Sequence, residues 1–143
     1  MLRGCSFQLI APKEAELLIN TPLRPTLPAS DLERAKRWYS EKLGLEPKTE
    51  DFRGVQYEVG GHDFMVYPSQ FAGTNQATAA GFEVDDFDDV IETLRGRGVN
   101  FEDVDLGDMG KTVDGVIAMP DGSAKAAWLK DSEGNILAIS GTG

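Results

Sequence analysis

The stretch Leu27–Gly44, LPASDLERAKRWYSEKLG, decides the fold. Ser30 is followed three residues later by Glu33, the spacing of a capping box at a helix start. Leu32, Ala35, Trp38, Tyr39 and Leu43 then recur at a helical period, and Gly44 supplies the stop. The residues before it, LRPTLPA (23–29), read as a strand. A strand that runs straight into a capped helix is the first half of a larger unit.

The same unit comes round again. AAGFEVD (79–85) reads as a strand, and Asp85 opens a second helix with Phe87, Val90, Ile91 and Leu94 as its apolar stripe. Gly96 or Gly98 ends that helix. Leu27 aligns with Phe82, Ala29 with Val84, Asp31 with Asp86, Leu32 with Phe87 and Ala35 with Val90, a constant offset of 55 residues. Each helix is followed by strand signals. VQYEV (55–59) and DFMVYP (63–68) flank Gly60-Gly61, and AKAAWLK (124–130) and NILAIS (135–140) flank the turn DSEGN. Two βαβββ units account for the length better than one continuous sheet. Each helix covers one face of its sheet, and the expected cover for the other face is the second unit's sheet, leaving a cavity between them.

Composition bounds the rest. A chain of 143 residues, 41% apolar and 27% charged, is the size of one ordinary domain. Fourteen Lys and Arg against 24 Asp and Glu give a net charge of −10, which disfavours nucleic acid and anionic membranes as partners. The one cysteine, Cys5, excludes an intrachain disulfide. No apolar run approaches the roughly 18 residues of a membrane span, and the first twenty residues lack a signal-peptide core, so the expected location is the cytoplasm. Residues 1–21 read as an extension with a short helix from Pro12 to Ile19, before a single domain at 22–143 whose modules span 22–70 and 77–141.

The segments LPASDLERAKRWYSEKLGLEP, GFEVDDFDDVIETLRGRGVNFE and WLKDSEGNILAIS resemble the vicinal oxygen chelate superfamily of glyoxalase I, bleomycin-resistance proteins and extradiol dioxygenases, over residues 22–141. The resemblance implies an α+β fold of two paired βαβββ modules forming a cupped mixed sheet, and a homodimer. It also implies one divalent metal in the cup, held by His, Gln or Glu from the first and last strand of each module. Carried over by position, those places fall near Arg24, Met65 and Ala79 and at Ala138. None is a normal ligand for a hard divalent cation. Arginine has no lone pair to give, alanine has no donor, and a single thioether is a poor one. Pro25 and Pro28 can bulge the first strand, which makes Thr26 an alternative cup residue. The expectation is therefore no metal and no cofactor.

Alternation along the last strands places Met65 and Tyr67, and Ile136, Ala138 and Ser140, toward the cup, with Phe64, Val66, Leu137 and Ile139 toward the helices. Tyr57 and Trp128 are further candidates for its lining, their facing left open. The candidate ligand-binding set is Arg24, Thr26, Tyr57, Met65, Tyr67, Trp128, Ile136 and Ala138, suited to a flat or apolar small molecule. An acidic group on that molecule could pair with Arg24, unless Arg24 meets solvent or a structural carboxylate. Three readings stay open: metal-free binding of a small molecule; a metal-dependent lyase, isomerase or dioxygenase; and a metal-free enzyme using Arg24 and a tyrosine.

Other motifs carry less. His62, the only histidine, follows Gly60-Gly61 and reads as a surface turn residue. DVDLGDMGKTVD (103–114) fails a calcium loop at its glycine and its terminal glutamate. The aspartates of VDDFDDV (84–90) suit a helix N-terminus, where they meet exposed N–H groups.

Overall fold

The computed structural model describes residues 17–142. Its first half contains β1 (Thr26–Ala29), α1 (Leu32–Leu43), β2 (Thr49–Asp51), β3 (Gly54–Val59) and β4 (His62–Pro68). Its second half contains β5 (Thr78–Val84), α2 (Phe87–Gly96), a 3-10 turn (Gly107–Met109), β6 (Val116–Ala118), β7 (Lys125–Lys130) and β8 (Ile136–Gly141). The sheets run β1-β4-β3-β2 and β5-β8-β7-β6. In each, the first strand lies parallel to the last, and the other pairings are antiparallel. This is the expected repeated βαβββ plan, completed in each half by a three-residue edge strand, β2 or β6. The expected helix at 12–19 falls mostly outside the described residues, as does Cys5. Leu17–Asn20 form a turn closed by the Thr21 hydroxyl, which donates to the Leu18 carbonyl (2.6 Å).

Alternation sets the core. On the first sheet Leu27, Val55, Tyr57, Phe64 and Val66 point to the helix side and are buried, as are Ala35 and Tyr39 of α1. On the second, Ala127, Leu129, Leu137 and Ile139 do the same beneath Phe87, Ile91 and Leu94 of α2. These residues form one continuous apolar cluster across both halves. Each fully buried aliphatic or aromatic side chain in it contributes about 1.5–3 kcal/mol by leaving water. The modules therefore meet through their helix sides. The expectation that one sheet's open face covers the other's is not met within the chain. Thr26 and Glu83 are exposed there, and Gln56, Met65, Tyr67, Trp128, Ile136, Ala138 and Ser140 are only half-buried.

The turn between β7 and β8 locks the seam. Asp131 accepts from the backbone N–H groups of Glu133 (2.8 Å) and Asn135 (2.9 Å), which shapes the turn. Its second oxygen accepts from the Tyr39 hydroxyl on α1 (2.6 Å) and from Asn135 Nδ2 (2.8 Å). Asn135 Nδ2 also reaches the carbonyl of Pro28 in β1 (2.9 Å). Glu133, with no exposed side-chain surface, accepts from Arg34 Nε (2.8 Å) and Nη2 (3.0 Å), from Ser30 Oγ (3.2 Å) and from the Asp31 N–H (3.0 Å).

These bonds revise the expected cap. Asp31, not Ser30, caps α1, accepting from the Arg34 N–H (3.0 Å). The acceptor for the cap residue's own N–H is Glu133, from the other module, in place of the expected Glu33. Ser30 sits one residue too early and turns its hydroxyl to the same carboxylate. At the far end Gly44 adopts the left-handed conformation (φ 69°), as its sequence position suggests. The second helix, expected to open at Asp85, begins at Phe87 and is capped by Asp86.

Two tyrosines in this core behave oppositely. Burial and the neighbouring Asp131 carboxylate push the Tyr39 hydroxyl far up, so it stays protonated and donates. Tyr57 stacks on Phe64 (ring centroids 5.2 Å apart), and its buried hydroxyl has no hydrogen-bond partner; burial pushes it up to about 12. Removing a hydrogen bond to a charged group costs about 1.5–3 kcal/mol, whereas deleting an unsatisfied hydroxyl costs little or is favourable. Tyr39→Phe is therefore expected to lower the urea midpoint by an amount equivalent to about 2 kcal/mol. Tyr57→Phe is expected to leave it unchanged or raise it. Equal losses in the two variants would refute the assignment.

Burial alone would raise the Glu133 carboxyl, but the Arg34 guanidinium and the Asp31 and Ser132 donors outweigh it and hold it at about 2, against an ordinary 4.5. A depressed carboxyl contributes stability above its unfolded-state value and loses it as pH falls through the folded one. The chain is thus expected to weaken between about pH 4.5 and pH 2. Glu133→Gln lowers stability at pH 7 and flattens that acid slope, which chemical denaturation at a series of pH values measures.

Candidate functional site

Register builds the open faces. In the first module Thr26 lies beside Met65, and Met65 beside Gln56; Pro28 lies beside Tyr67. In the second, Gly81, Ala138 and Trp128 form one row across three strands, Thr78, Ile136 and Lys130 the next, and Glu83, Ser140 and Ala126 a third. Thr26 and Gly81 are thus the first-strand residues level with Met65 and Ala138, and the offset of 55 residues holds between them. Arg24 and Ala79 lie two residues earlier. The irregularity expected from the prolines of β1 falls in β5 instead, between Thr78 and Ala80. Ala79 is the residue it leaves without a partner.

The four level positions, Thr26, Met65, Gly81 and Ala138, do not fit a divalent cation. They offer one neutral hydroxyl and one thioether between them. Among the described residues no group of three or more His, Cys, Asp or Glu is placed to hold a metal ion.

The other sequence candidates divide. Met65, Tyr67, Trp128, Ile136 and Ala138 all lie on the open faces, half-buried. Tyr57 does not. It is fully buried on the helix side, level with Phe64. The Gly60-Gly61 turn pairs Val59 with His62, so two residues further in Tyr57 must share a face with Phe64. That parity was available in the sequence. Arg24 precedes β1 with Nε 3.6 Å from Asp63 Oδ2, and Lys48 Nζ lies 3.3 Å from the same oxygen. Arg24 is therefore engaged with a structural carboxylate on a charged rim. His62 is the exposed first residue of β4.

Two cavities border these sheets. One, of about 780 Å³, follows the seam between modules, walled by Leu27, Phe64, Phe82 and Leu137, with His62 and Glu83 at its rim. The other, of about 660 Å³, lies on the open face of the second sheet. Its floor is Trp128 and Ile136; the intermodule linker from Gly73 to Thr78 forms one wall and residues 102–106 the other. The Trp128 indole N–H donates to Thr78 Oγ1 (3.2 Å), which orients the ring. Lys130 and Glu102, both in the lining, form a loose ion pair (3.9 Å). Sequence reasoning found the floor and missed the walls, which come from segments without strand or helix periodicity.

A fold of two βαβββ modules, each with one open sheet face, defines a known class. The chain belongs to the Glyoxalase/Bleomycin resistance protein/Dioxygenase superfamily, whose family model matches residues 21–139. Among solved structures it is similar to a glyoxalase family protein from Enterococcus faecalis (19% identity, 86% of this chain and 99% of that one, TM-score 0.64). It is also similar to a genomically encoded fosfomycin resistance protein from Listeria monocytogenes (11%, 88% and 96%, TM-score 0.65). A third is the lactoylglutathione lyase of Agrobacterium tumefaciens (17%, 85% and 93%, TM-score 0.62). At these identities the likeness concerns the fold. The comparison with curated proteins returned no match. Among the described residues no helix is long and apolar enough to cross a membrane.

Proposed function

We propose that this chain binds a small apolar or aromatic molecule on the open face of its sheets, without a metal, and that a second copy of the chain closes the cup. The observation that carries this reading is the row Gly81–Ala138–Trp128. Where a metal ligand would stand the sheet offers only hydrogen and methyl, and an oriented indole lies beside the space they leave. A cavity of about 660 Å³ is within the range of small-molecule sites. The Listeria relative's name, a resistance protein for fosfomycin, accords with a small-molecule ligand. The proposed location is the cytoplasm, and the proposed partners include neither nucleic acid nor membrane.

The competing enzymatic readings lose their residues. A metal-dependent lyase, isomerase or dioxygenase needs donors that the level positions do not supply. A metal-free enzyme built on Arg24 and a tyrosine finds Arg24 paired with Asp63 and Tyr57 inside the core, which leaves it Tyr67 on the open face without that cation.

A second copy is supported by the half-exposed Met65, Tyr67, Trp128 and Ile136, apolar groups that the single chain leaves partly in water. Light scattering on a sizing column is expected to give twice the mass of the 15.5 kDa chain; a monomer at micromolar concentration would remove this part of the reading.

The binding reading is tested by metal analysis and ligand titration together. Protein purified without added metal is expected to contain far less than one Zn, Mn, Ni or Fe per chain. It is expected to bind a naphthalene probe with quenching of Trp128 emission, unchanged by chelator. Ala138→Phe sets a ring beside Trp128 in the same row, next to the cavity floor of Trp128 and Ile136, and is expected to weaken that binding at least tenfold. Stoichiometric metal, or binding that chelator abolishes, would favour the metal enzyme.

A further inference from the structure

We infer that the cavity on the second sheet selects a flat aromatic molecule carrying a positive charge, a protonated or quaternary amine. This rests on the proposed reading that the open face takes a small aromatic molecule, and it adds the charge of that molecule.

The inference starts from the charged groups that line the cavity, which are Glu102, Asp103 and Lys130. Lys130 Nζ lies 3.9 Å from Glu102 Oε1, and both side chains are about half-exposed, so these two charges largely offset each other. Asp103 is exposed and has no hydrogen bond or ion pair among the described residues. The cavity is left with one negative charge in surplus, on a chain whose net charge is −10. An anionic ligand would approach two carboxylates for one ammonium. A cationic ligand meets the same groups with net attraction.

The floor points the same way. Trp has the strongest ring quadrupole among the aromatic side chains and attracts a cation placed over its face. The Trp128 ring is oriented by its bond to Thr78, so its only hydrogen-bond donor is already used. What remains to offer a ligand is the π surface. Ile136 beside it adds apolar contact and no charge. The site therefore combines an aromatic platform, an aliphatic neighbour and a free carboxylate at the rim, a set that suits a planar cation and gives an anion little to bind.

Three probes of equal ring size separate the terms: (2-naphthylmethyl)trimethylammonium, 2-naphthylmethanol and 2-naphthoate. Each is titrated calorimetrically into wild type, Asp103→Asn, Glu102→Gln with Asp103→Asn, and Trp128→Leu, with circular dichroism as the check on folding. In wild type at low salt the cation is expected to bind about tenfold tighter than the alcohol and the carboxylate most weakly, with the gap narrowing at 0.5 M salt. Asp103→Asn, an exposed and conservative change, is expected to narrow the gap between cation and alcohol to about threefold while the alcohol's affinity holds. The double substitution leaves Lys130 unopposed and is expected to reverse the order, so that the carboxylate binds best. Trp128→Leu is expected to cost the cation more than the alcohol. Equal affinities for all three probes in wild type, or a preference for the carboxylate, would overturn the charge inference and leave the small-molecule reading standing. If no probe binds wild type, both fall.

Discussion

Everything in this structure hangs on a five-residue turn, Asp131 to Asn135, that belongs to one module and is satisfied largely by the other. Three of its side chains are buried and polar, and each reaches across the seam. Buried polar groups are costly unless paired, so such a turn is stable only when both modules are in place. The apolar cluster brings the helix sides together without direction. The turn supplies direction, because Tyr39, Arg34 and the carbonyl of Pro28 can meet it in only one relative placement of the modules. That placement turns the two helix sides inward and leaves the open faces for something else.

Much of the architecture could be read from the residues, because periodicity and repetition are local. The helical stripes, the hairpin at Gly60-Gly61 and the alternation of β4 and β8 all follow from spacing within a few residues. What escaped depends on distance. The cap of α1 was misplaced by one residue because the acceptor for its N–H is Glu133, some hundred residues away, and a local pattern with Glu33 looked complete without it. The short strands β2 and β6 have too few residues to show a period and exist because β3 and β7 offer them an edge. Composition alone leaves Tyr57 open between faces, although counting from the hairpin turn settles its side.

The site divides along the same line. Ala138 was legible as the place of a missing donor, since one residue in one strand suffices to see it. Its neighbours across the sheet were not, because register between β5 and β8 is a tertiary fact. The structure moves the level positions from Arg24 and Ala79 to Thr26 and Gly81, one full pleat along, and the new pair is no richer in donors for a hard divalent cation. Arg24 changes meaning with it. A cation that the sequence leaves open between a ligand and a structural carboxylate is one member of a charged cluster with Asp63 and Lys48.

Two glycines link the turn to the cavity. Gly134, at the turn's tip with φ 87°, lies so close to Gly73 of the linker that a methyl group on it would come within 2.8 Å of the Gly73 Cα. The same linker walls the cavity over Trp128. The lining of the site and the clasp between the modules therefore share a point of backbone contact, with no side chain between them to absorb displacement. A molecule held in the cavity would be linked thermodynamically to the cohesion of the clasp, and would register as added resistance to unfolding.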